Sequence, residues 1–210
     1  MKKYIFFDFD GTIVDCQKFQ IERLKNVFKK YNVDIKNIDF LTLIGPPLYN
    51  TFLKYMGKDK AQEVLEYYNN SFNPQNIDNI YLFDGIKEML QNLKTQGYVL
   101  CLTSLQLYSV VEPELKFLGV LDCFDYIYCD DVERAYKSKV DLIADVISNN
   151  NIDKNNVVVV GDTINDVLGG TKNNLYTIGV NWGYGKIKKE QVSAVVKSPN
   201  ELLTHILNLK

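Results

Sequence analysis

Short runs of apolar residues alternate along the chain with longer stretches in which apolar residues recur every three or four positions. The short runs are typical of buried strands, and the longer spacing is typical of amphipathic helices. We predict strands at Tyr4–Phe7, Val99–Leu102, Tyr126–Tyr128, Val157–Val160 and Tyr176–Val180. We predict helices over 86–93, 110–118, 140–148 and 200–209. Because strands and helices alternate, the predicted fold class is α/β, with a parallel sheet flanked by helices.

A long insertion separates the first two predicted strands. About ninety residues lie between them, whereas a crossover between parallel strands needs only about a dozen. Within the insertion, helical spacing covers Phe19–Tyr31, Leu48–Met56 and Lys60–Asn70. We therefore predict an α/β core formed by residues 1–14 and 84–210 and a helical segment formed by residues 15–83. Asp15 is interpreted as the residue that caps the first helix of this segment.

Length and composition restrict the classes of partner. A chain of 210 residues fits one domain with a modest insertion, and the net charge of −2 creates no field that would attract nucleic acid. The four cysteines show no paired metal-ligand spacing. The apolar run near the N-terminus is too short for a signal peptide, and no run reaches the ~20 apolar residues of a membrane span. We expect a cytoplasmic protein that binds neither nucleic acid nor membrane.

Two carboxylates, Asp8 and Asp10, directly follow the first predicted strand. Like charges at the end of a buried strand cost free energy unless a counter-charge is present. Both side chains can face one site on an extended segment, with the Phe9 amide between them, and Mg²⁺ prefers such oxygen ligands. Gly11 permits a sharp turn, and Thr12 offers a hydroxyl. We therefore predict Mg²⁺ as the cofactor.

A second acidic cluster follows the predicted strand Val157–Val160. Asp162 and Asp166 lie four residues apart at a turn from strand to helix. Ligands of α/β proteins bind outside the carboxyl ends of parallel strands. The two clusters are therefore expected to converge on one metal-binding crevice.

Several well-known types of active site lack their residues in this sequence. His205 is the only histidine and lies in an apolar run, so no histidine-based phosphatase or Ser-His-Asp site is expected. No cysteine is followed six residues later by arginine, as a cysteine phosphatase requires. The Gly-x-x-x-x-Gly-Lys-Ser/Thr motif of phosphate-binding loops is also missing.

These motifs together resemble the haloacid dehalogenase-like hydrolase superfamily, whose core is Rossmann-like. Residues Asp8 to Thr12 resemble its first motif, Asp-x-Asp-Gly-Thr, and Leu100 to Ser104 its second, an apolar strand that ends in Thr or Ser. Gly161 to Asp166 resembles its fourth, Gly-Asp-x-x-x-Asp. Residues 44–48 and 179–185 resemble the branch that contains phosphoglycolate phosphatases. The resemblance implies that the inserted segment 15–83 is an α-helical cap over the active site.

The third motif of the superfamily is a lysine at the start of a later helix, and two residues are candidates. Lys139 precedes Val140, Asp141 and Leu142 and fits the Lys-x-Asp-apolar form of the phosphoglycolate phosphatase branch. Lys137 fits the Lys-Pro-x-Pro form only if both prolines are replaced. We predict Lys139 and keep Lys137 as the alternative.

The resemblance also implies roles for the motif residues. Asp8 is expected to be the nucleophile that forms an aspartyl-phosphate, and Asp10 the general acid and then the general base. The expected metal ligands are the Asp8 carboxylate, the Asp10 main-chain carbonyl and Asp162, with Asp166 holding a water of the metal or orienting the lysine.

Further residues are expected to bind the substrate. The Thr103 hydroxyl and the amides of Ser104, Phe9 and Gly11 are expected to donate to phosphoryl oxygens. The loop from Gly45 to Leu48 is expected to face the substrate.

The function expected from this resemblance is hydrolysis of a small phosphorylated metabolite, in the manner of a phosphoglycolate phosphatase. A nucleoside 5′-monophosphate is an alternative substrate. A dehalogenase has no need of the acid Asp10, and a phosphosugar mutase would hold a second phosphate with an arginine, of which the chain has only Arg23 and Arg134. A catalytically silent binding protein is a further alternative.

Overall fold

A computed structural model describes residues 3–44, 48–75, 77–130, 136 and 138–209 of the chain. The chain forms two compact units, one of Met1–Asp15 with Tyr81–Lys210 and one of Cys16–Ile80. The boundaries between the two units therefore fall after residues 15 and 80, whereas the predicted boundaries fall after residues 14 and 83. The role of the inserted segment as a cap stays a prediction.

The first unit is built on a parallel sheet, in which six strands of the described chain have the order β5-β4-β1-β6-β7-β8. A separate antiparallel pair, β2 with β3, lies where the chain leaves this unit and returns to it. The strands are β1 (Tyr4–Phe7), β2 (Val14–Asp15), β3 (Tyr81–Leu82), β4 (Val99–Leu107), β5 (Tyr126–Asp130), β6 (Val157–Gly161), β7 (Tyr176–Val180) and β8 (Ala194–Val196).

Five α-helices of the described chain belong to the first unit. They are α4 (Ile86–Thr95), α5 (Tyr108–Leu118), α6 (Lys139–Asn149), α7 (Ile164–Lys172) and α8 (Pro199–Leu207). Their apolar faces are buried; in α4 these are Ile86, Met89, Leu90 and Leu93. The predicted α/β class, a Rossmann-like parallel sheet flanked by helices, is confirmed. No helix in the described ranges is both long and apolar enough to cross a membrane.

The second unit is helical and has a core of its own. It contains α1 (Gln17–Lys30), α2 (Leu48–Met56) and α3 (Lys58–Asn70). Its core is aromatic and aliphatic, and includes Leu24, Phe28, Phe40, Phe52 and Val64. The buried rings of Phe28 and Phe52 lie 6.4 Å apart between centroids, in a tilted arrangement.

The interpretation of Asp15 as a helix cap is wrong. Helix α1 begins at Gln17, and its N-cap residue is Cys16, whose side chain accepts no capping hydrogen bond. Asp15 instead lies in β2, opposite Tyr81 of β3. Its carboxylate accepts a hydrogen bond from the hydroxyl of Tyr184, at 3.2 Å.

Candidate active site

The register of the central strands brings the motif residues to one edge of the sheet. Strand β1 pairs in parallel with both β4 and β6, and Phe7 lies opposite Leu102 and Val160. Asp8, just after β1, and Thr103, in β4, therefore lie side by side at the same height of the sheet. The Asp8 amide donates to the Val160 carbonyl at 2.9 Å. This is the carboxyl edge of the sheet, where ligands of α/β proteins bind.

Lys139, the first residue of α6, forms an ion pair with Asp8. Its Nζ lies 2.5 Å from Asp8 Oδ1 and 2.6 Å from the Thr103 carbonyl oxygen, and its side chain is only 4% exposed. Ser138 caps α6 by accepting a hydrogen bond from the Asp141 amide. Burial opposes the charge of the ammonium, but Asp8 and Asp166 outweigh it and raise the pKa of Lys139. The ammonium is therefore a fixed positive charge beside the Asp8 carboxylate.

Helix α7 leaves room for the methylene chain of Lys139. A Cβ atom on Gly169 would lie 2.9 Å from Lys139 Cγ and 2.9 Å from Ile143 Cδ1. Contacts that close occur essentially nowhere between real side chains, so an alanine there would displace one of them. The glycine in α7 therefore allows α6 to hold the lysine at the site.

Three carboxylates of the described residues, one of them Asp8, form a cluster. Asp8, Asp162 and Asp166 each present one oxygen, and these oxygens all lie within 4.8 Å of one another. Burial, the charge of Asp166 and the charge of Asp162 together outweigh Lys139 and raise the pKa of Asp8 well above its usual value. Asp162 is also affected, because burial and Asp166 raise its pKa to about 6. One lysine is not enough counter-charge for three acids.

The residues of this cluster fit a divalent metal. Asp166 is 2% exposed, and within the described residues its Oδ1 accepts no hydrogen bond, although Lys139 Nζ lies 3.3 Å away. A buried carboxylate oxygen without a donor costs free energy that a cation would remove. The donors are hard oxygen atoms, which suit Mg²⁺. Asp8, Asp162 and Asp166 could therefore supply oxygen ligands to Mg²⁺.

The loop after β7 fixes the orientation of Asp162. The amides of Tyr184 and Gly185 donate to Asp162 Oδ2 at 2.7 and 3.1 Å. These hydrogen bonds favour the charged carboxylate and partly oppose the rise in its pKa. The other oxygen, Oδ1, lies 3.4 Å from Thr12 Oγ1.

The close contact between the loop after β7 and the two acidic motifs requires glycine in the loop. A Cβ on Gly185 would lie 1.9 Å from the Asp162 carbonyl oxygen, and one on Gly183 would lie 2.0 Å from the Gly11 carbonyl oxygen. Both obstacles are backbone atoms, which cannot move aside as a flexible side chain can. The Gly-x-Gly sequence therefore lets the loop contact the two acidic motifs directly.

Asp166 is held by the first turn of α7. Its Oδ2 accepts from the Thr163 amide at 3.1 Å and from the Thr163 hydroxyl at 2.7 Å. A Cβ on Gly161 would lie 2.3 Å from Asp166 Cβ, so the glycine that ends β6 is needed for this packing. The helix start thus directs the other carboxylate oxygen toward Lys139.

The turn after Asp8 is closed by its own hydrogen bonds. The Gly11 amide donates to the Val14 carbonyl at 2.8 Å, and the Phe9 carbonyl accepts from the amides of Ile13 and Val14. The Gly11 amide is thus engaged within the turn, which leaves its predicted contact with substrate without support from this geometry. Thr12 is fully buried, and its hydroxyl lies 3.4 Å from Asp8 Oδ2.

The hydroxyl groups of Thr103 and Ser104 make hydrogen bonds within the protein, and two other predicted site residues lie outside the described residues. The Thr103 hydroxyl donates to the Phe7 carbonyl at 3.2 Å, and the Ser104 hydroxyl accepts from the Gln106 amide at 3.1 Å. Their contacts with phosphoryl oxygens stay predictions. Gly45 and Lys137 lie outside the described residues.

Two contacts of the site involve residues that the sequence analysis did not assign to it. The Gln106 side-chain amide donates a short hydrogen bond to Asp10 Oδ2. The Trp182 indole donates to the Thr12 carbonyl at 3.0 Å. The sequence signal for Trp182 was its position beside the glycines of the loop after β7. Gln106 had no signal, because a single glutamine after a strand is common.

Comparison with known proteins agrees with this geometry. The sequence profile of the haloacid dehalogenase-like hydrolases matches residues 5–180. The tyrosine-protein kinase PtkA of Mycobacterium tuberculosis is 26% identical over 203 residues, which cover 96% of this chain and 68% of that protein. The pyrophosphatase PpaX of Bacillus velezensis is 28% identical, over 98% of this chain and 96% of its own.

Two further similarities extend the comparison. A 5′-nucleotidase of Pseudomonas aeruginosa is 26% identical, over 86% of this chain and 83% of its own. The crystal structure of a predicted phosphatase from Clostridium acetobutylicum is 28% identical, covers both chains completely and superposes with a TM-score of 0.89. Because the family profile covers most of the chain and the acidic motifs meet at one edge of its sheet, this chain belongs to the haloacid dehalogenase-like hydrolase family.

Proposed function

We propose that this protein is a Mg²⁺-dependent phosphatase that hydrolyses a small phosphorylated metabolite through an aspartyl-phosphate on Asp8. The observation that carries the proposal is the buried ion pair between Lys139 and Asp8, at 2.5 Å, within a cluster of carboxylates. A fixed ammonium beside a carboxylate suits a nucleophile that must approach an anionic phosphoryl group.

In the first half of the reaction, a carboxylate oxygen of Asp8 attacks phosphorus. The bond between phosphorus and the ester oxygen breaks, and that oxygen takes a proton from the carboxyl group of Asp10. In the second half, Asp10 accepts a proton from water while the water oxygen attacks phosphorus. This releases inorganic phosphate and regenerates Asp8. Acid–base catalysis of this kind contributes about 10²- to 10⁴-fold.

The residues proposed to hold Mg²⁺ are the carboxylates of Asp8, Asp162 and Asp166 and the main-chain carbonyl of Asp10. When bound, Mg²⁺ supplies positive charge that neutralises phosphoryl oxygens as the anionic nucleophile approaches. Lys139 supplies the remaining charge on the side of α6. The Thr103 hydroxyl and the Ser104 main-chain amide, both in β4, are proposed to donate to phosphoryl oxygens, for which the hydroxyl would exchange its hydrogen bond to the Phe7 carbonyl.

For the substrate we propose phosphoglycolate or a metabolite of similar size, because residues 44–48 and 179–185 resemble the phosphoglycolate phosphatase branch. The names of the relatives favour two alternatives, inorganic pyrophosphate and a nucleoside 5′-monophosphate. A phosphosugar mutase is less well supported because the chain has only two arginines, and a silent binding protein because the acids needed for hydrolysis are all present. The cytoplasmic location stays a prediction.

A panel assay tests this function. Purified protein is offered 4-nitrophenyl phosphate, 2-phosphoglycolate, inorganic pyrophosphate and nucleoside 5′-monophosphates, each with MgCl₂ and each with EDTA. We expect release of inorganic phosphate with Mg²⁺ only, and a higher kcat/KM for 2-phosphoglycolate than for inorganic pyrophosphate or the nucleoside 5′-monophosphates. No phosphate release from any substrate, or full turnover in EDTA, would show that the proposal is wrong. Asp8→Asn is the matched inactive control.

A further inference from the structure

We propose that Gln106 is a positioning residue, whose side-chain amide holds the Asp10 carboxyl group toward the leaving oxygen of the substrate. The proposal rests on the proposed function, in which Asp10 transfers the proton. It assigns a role to a residue outside the motifs. Gln106 lies near the end of β4, and its Nε2 donates to Asp10 Oδ2.

The course of β4 explains how Gln106 reaches Asp10. Thr103 pairs with Tyr128 of β5, and Leu107 pairs with Asp130. Four steps along β4 therefore match only two along β5, so β4 bulges between these pairs. A bulge re-aims side chains at the end of a strand. In this bulge Gln106 extends to the turn that follows β1.

Ser104 fixes the backbone of the bulge. It is 2% exposed, and its hydroxyl accepts a hydrogen bond from the main-chain amide of Gln106 at 3.1 Å. Thr103, the residue before Ser104, is anchored in the sheet by its pairing with Tyr128 of β5. A chain of contacts thus runs from the core of the sheet to the Asp10 carboxylate, and Gln106 is its last member.

The chemistry of a primary amide suits this position. A carboxyl group that gives a proton in one step and accepts one in the next must be held in the same place in both forms. The NH₂ group of glutamine donates to Asp10 Oδ2 in both forms, because the carbonyl oxygen of a carboxylic acid also accepts a hydrogen bond, and this leaves the other oxygen to carry the proton toward the leaving group. The amide also adds no charge that would compete with Lys139 for Asp8.

A comparison of two ester substrates separates this role from a merely structural one. Aryl esters such as 4-nitrophenyl phosphate have a leaving group that needs no proton, whereas alkyl esters such as 2-phosphoglycolate or β-glycerophosphate do. The ratio kcat/KM reports only steps up to formation of the aspartyl-phosphate, so it excludes hydrolysis of that intermediate, and the comparison of the two esters then reports the proton transfer to the leaving group. A general loosening of the site would lower kcat/KM for both esters alike.

The test variant is Gln106→Met, which keeps the length of the side chain and removes the hydrogen bond. We expect kcat/KM to fall about 10-fold or more for the alkyl ester and less than about threefold for 4-nitrophenyl phosphate. The loss on the alkyl ester is a part of what acid–base catalysis typically contributes. Gln106→Leu, which has no amide and adds no charge, is expected to show the same split and serves if the methionine variant does not fold. Gln91→Met, at an exposed position of α4, is the matched control and should leave both values unchanged.

A double variant decides whether Gln106 acts through Asp10. In the Asp10→Asn background, Gln106→Met should change the alkyl-ester kcat/KM by less than about twofold, because effects on one shared step do not add. Equal losses on both esters, or full additivity with Asp10→Asn, would overturn the role of Gln106. If Asp10→Asn itself lowers kcat/KM equally for both esters, the acid role of Asp10 in the proposed function is wrong. The role proposed for Gln106 is then wrong as well.

Discussion

At the scale of single residues, the position of Lys139 gives the sharpest expectation. Its ammonium is bound between Asp8 and the Thr103 carbonyl in a side chain that is 4% exposed. Lys139→Ala should lower kcat/KM by about 10²-fold, the scale of removing a preorganised charge. Lys137→Ala, two residues away, is the matched control and should lower it far less. The assignment reverses if Lys137→Ala shows the larger loss in a steady-state assay on one substrate.

The chemistry of the site was more accessible from sequence than its geometry. Asp8 and Asp162 could be found because charge directly after an apolar strand is unfavourable without a counter-charge. Gln106 and Tyr184 could not, because their contacts depend on a bulge and on a loop whose paths no local pattern specifies. Asp15 misled the analysis, because an acid before a helix usually caps it, whereas here β2 extends to that residue.

At the scale of elements, the loop after β7 is a rigid support for Asp162. Gly185→Ala would bring its Cβ to 1.9 Å from the Asp162 carbonyl oxygen and force the loop away. The loss of two amide hydrogen bonds to Oδ2 should lower the affinity for Mg²⁺ by about 10-fold or more, as loss of a hydrogen bond to a metal ligand typically does.

Titration of phosphatase activity with Mg²⁺ measures this change. Lys186→Ala alters the next residue, which is exposed, and is the matched control. An unchanged Mg²⁺ requirement in Gly185→Ala would mean that the loop does not support the metal ligand.

Elements with a strong apolar pattern were predicted to within a few residues. Strand β6 has four consecutive valines and was predicted except for its last residue, Gly161. Strand β8 and the pair β2 and β3 were missed, because runs of two or three residues carry no periodicity. Strand β4 continues five residues beyond the predicted end at Leu102, through polar residues that a buried strand rarely contains.

At the scale of the whole molecule, the acidic cluster links stability to metal and pH. Burial and Asp166 raise the pKa of Asp162 to about 6 in the folded protein. In the unfolded protein the pKa of an aspartate is about 4. Between that pH and about pH 6, Asp162 binds more protons in the folded state than in the unfolded state. The free energy of unfolding of the metal-free protein is therefore expected to fall as pH rises through this range. Mg²⁺ binds the deprotonated carboxylates, so above about pH 6 it should offset this loss of stability.

The expected result is a larger increase in Tm on addition of MgCl₂ at about pH 7.5 than at about pH 5. Thermal melts with MgCl₂ and with EDTA at both pH values measure it. Asp162→Asn removes the titrating ligand and is expected to abolish most of the difference. Equal Tm shifts at the two pH values would contradict this linkage.

The central claim is that Asp8 carries the phosphoryl group during turnover. Its most direct test is to quench the enzyme during turnover of 4-nitrophenyl phosphate with sodium borohydride, which reduces an aspartyl-phosphate to homoserine, and to locate the change by peptide mass spectrometry. We expect homoserine at position 8 in the presence of Mg²⁺ and substrate, and none when substrate is omitted. Reduction at a different carboxylate, or turnover that persists in Asp8→Asn, would contradict it.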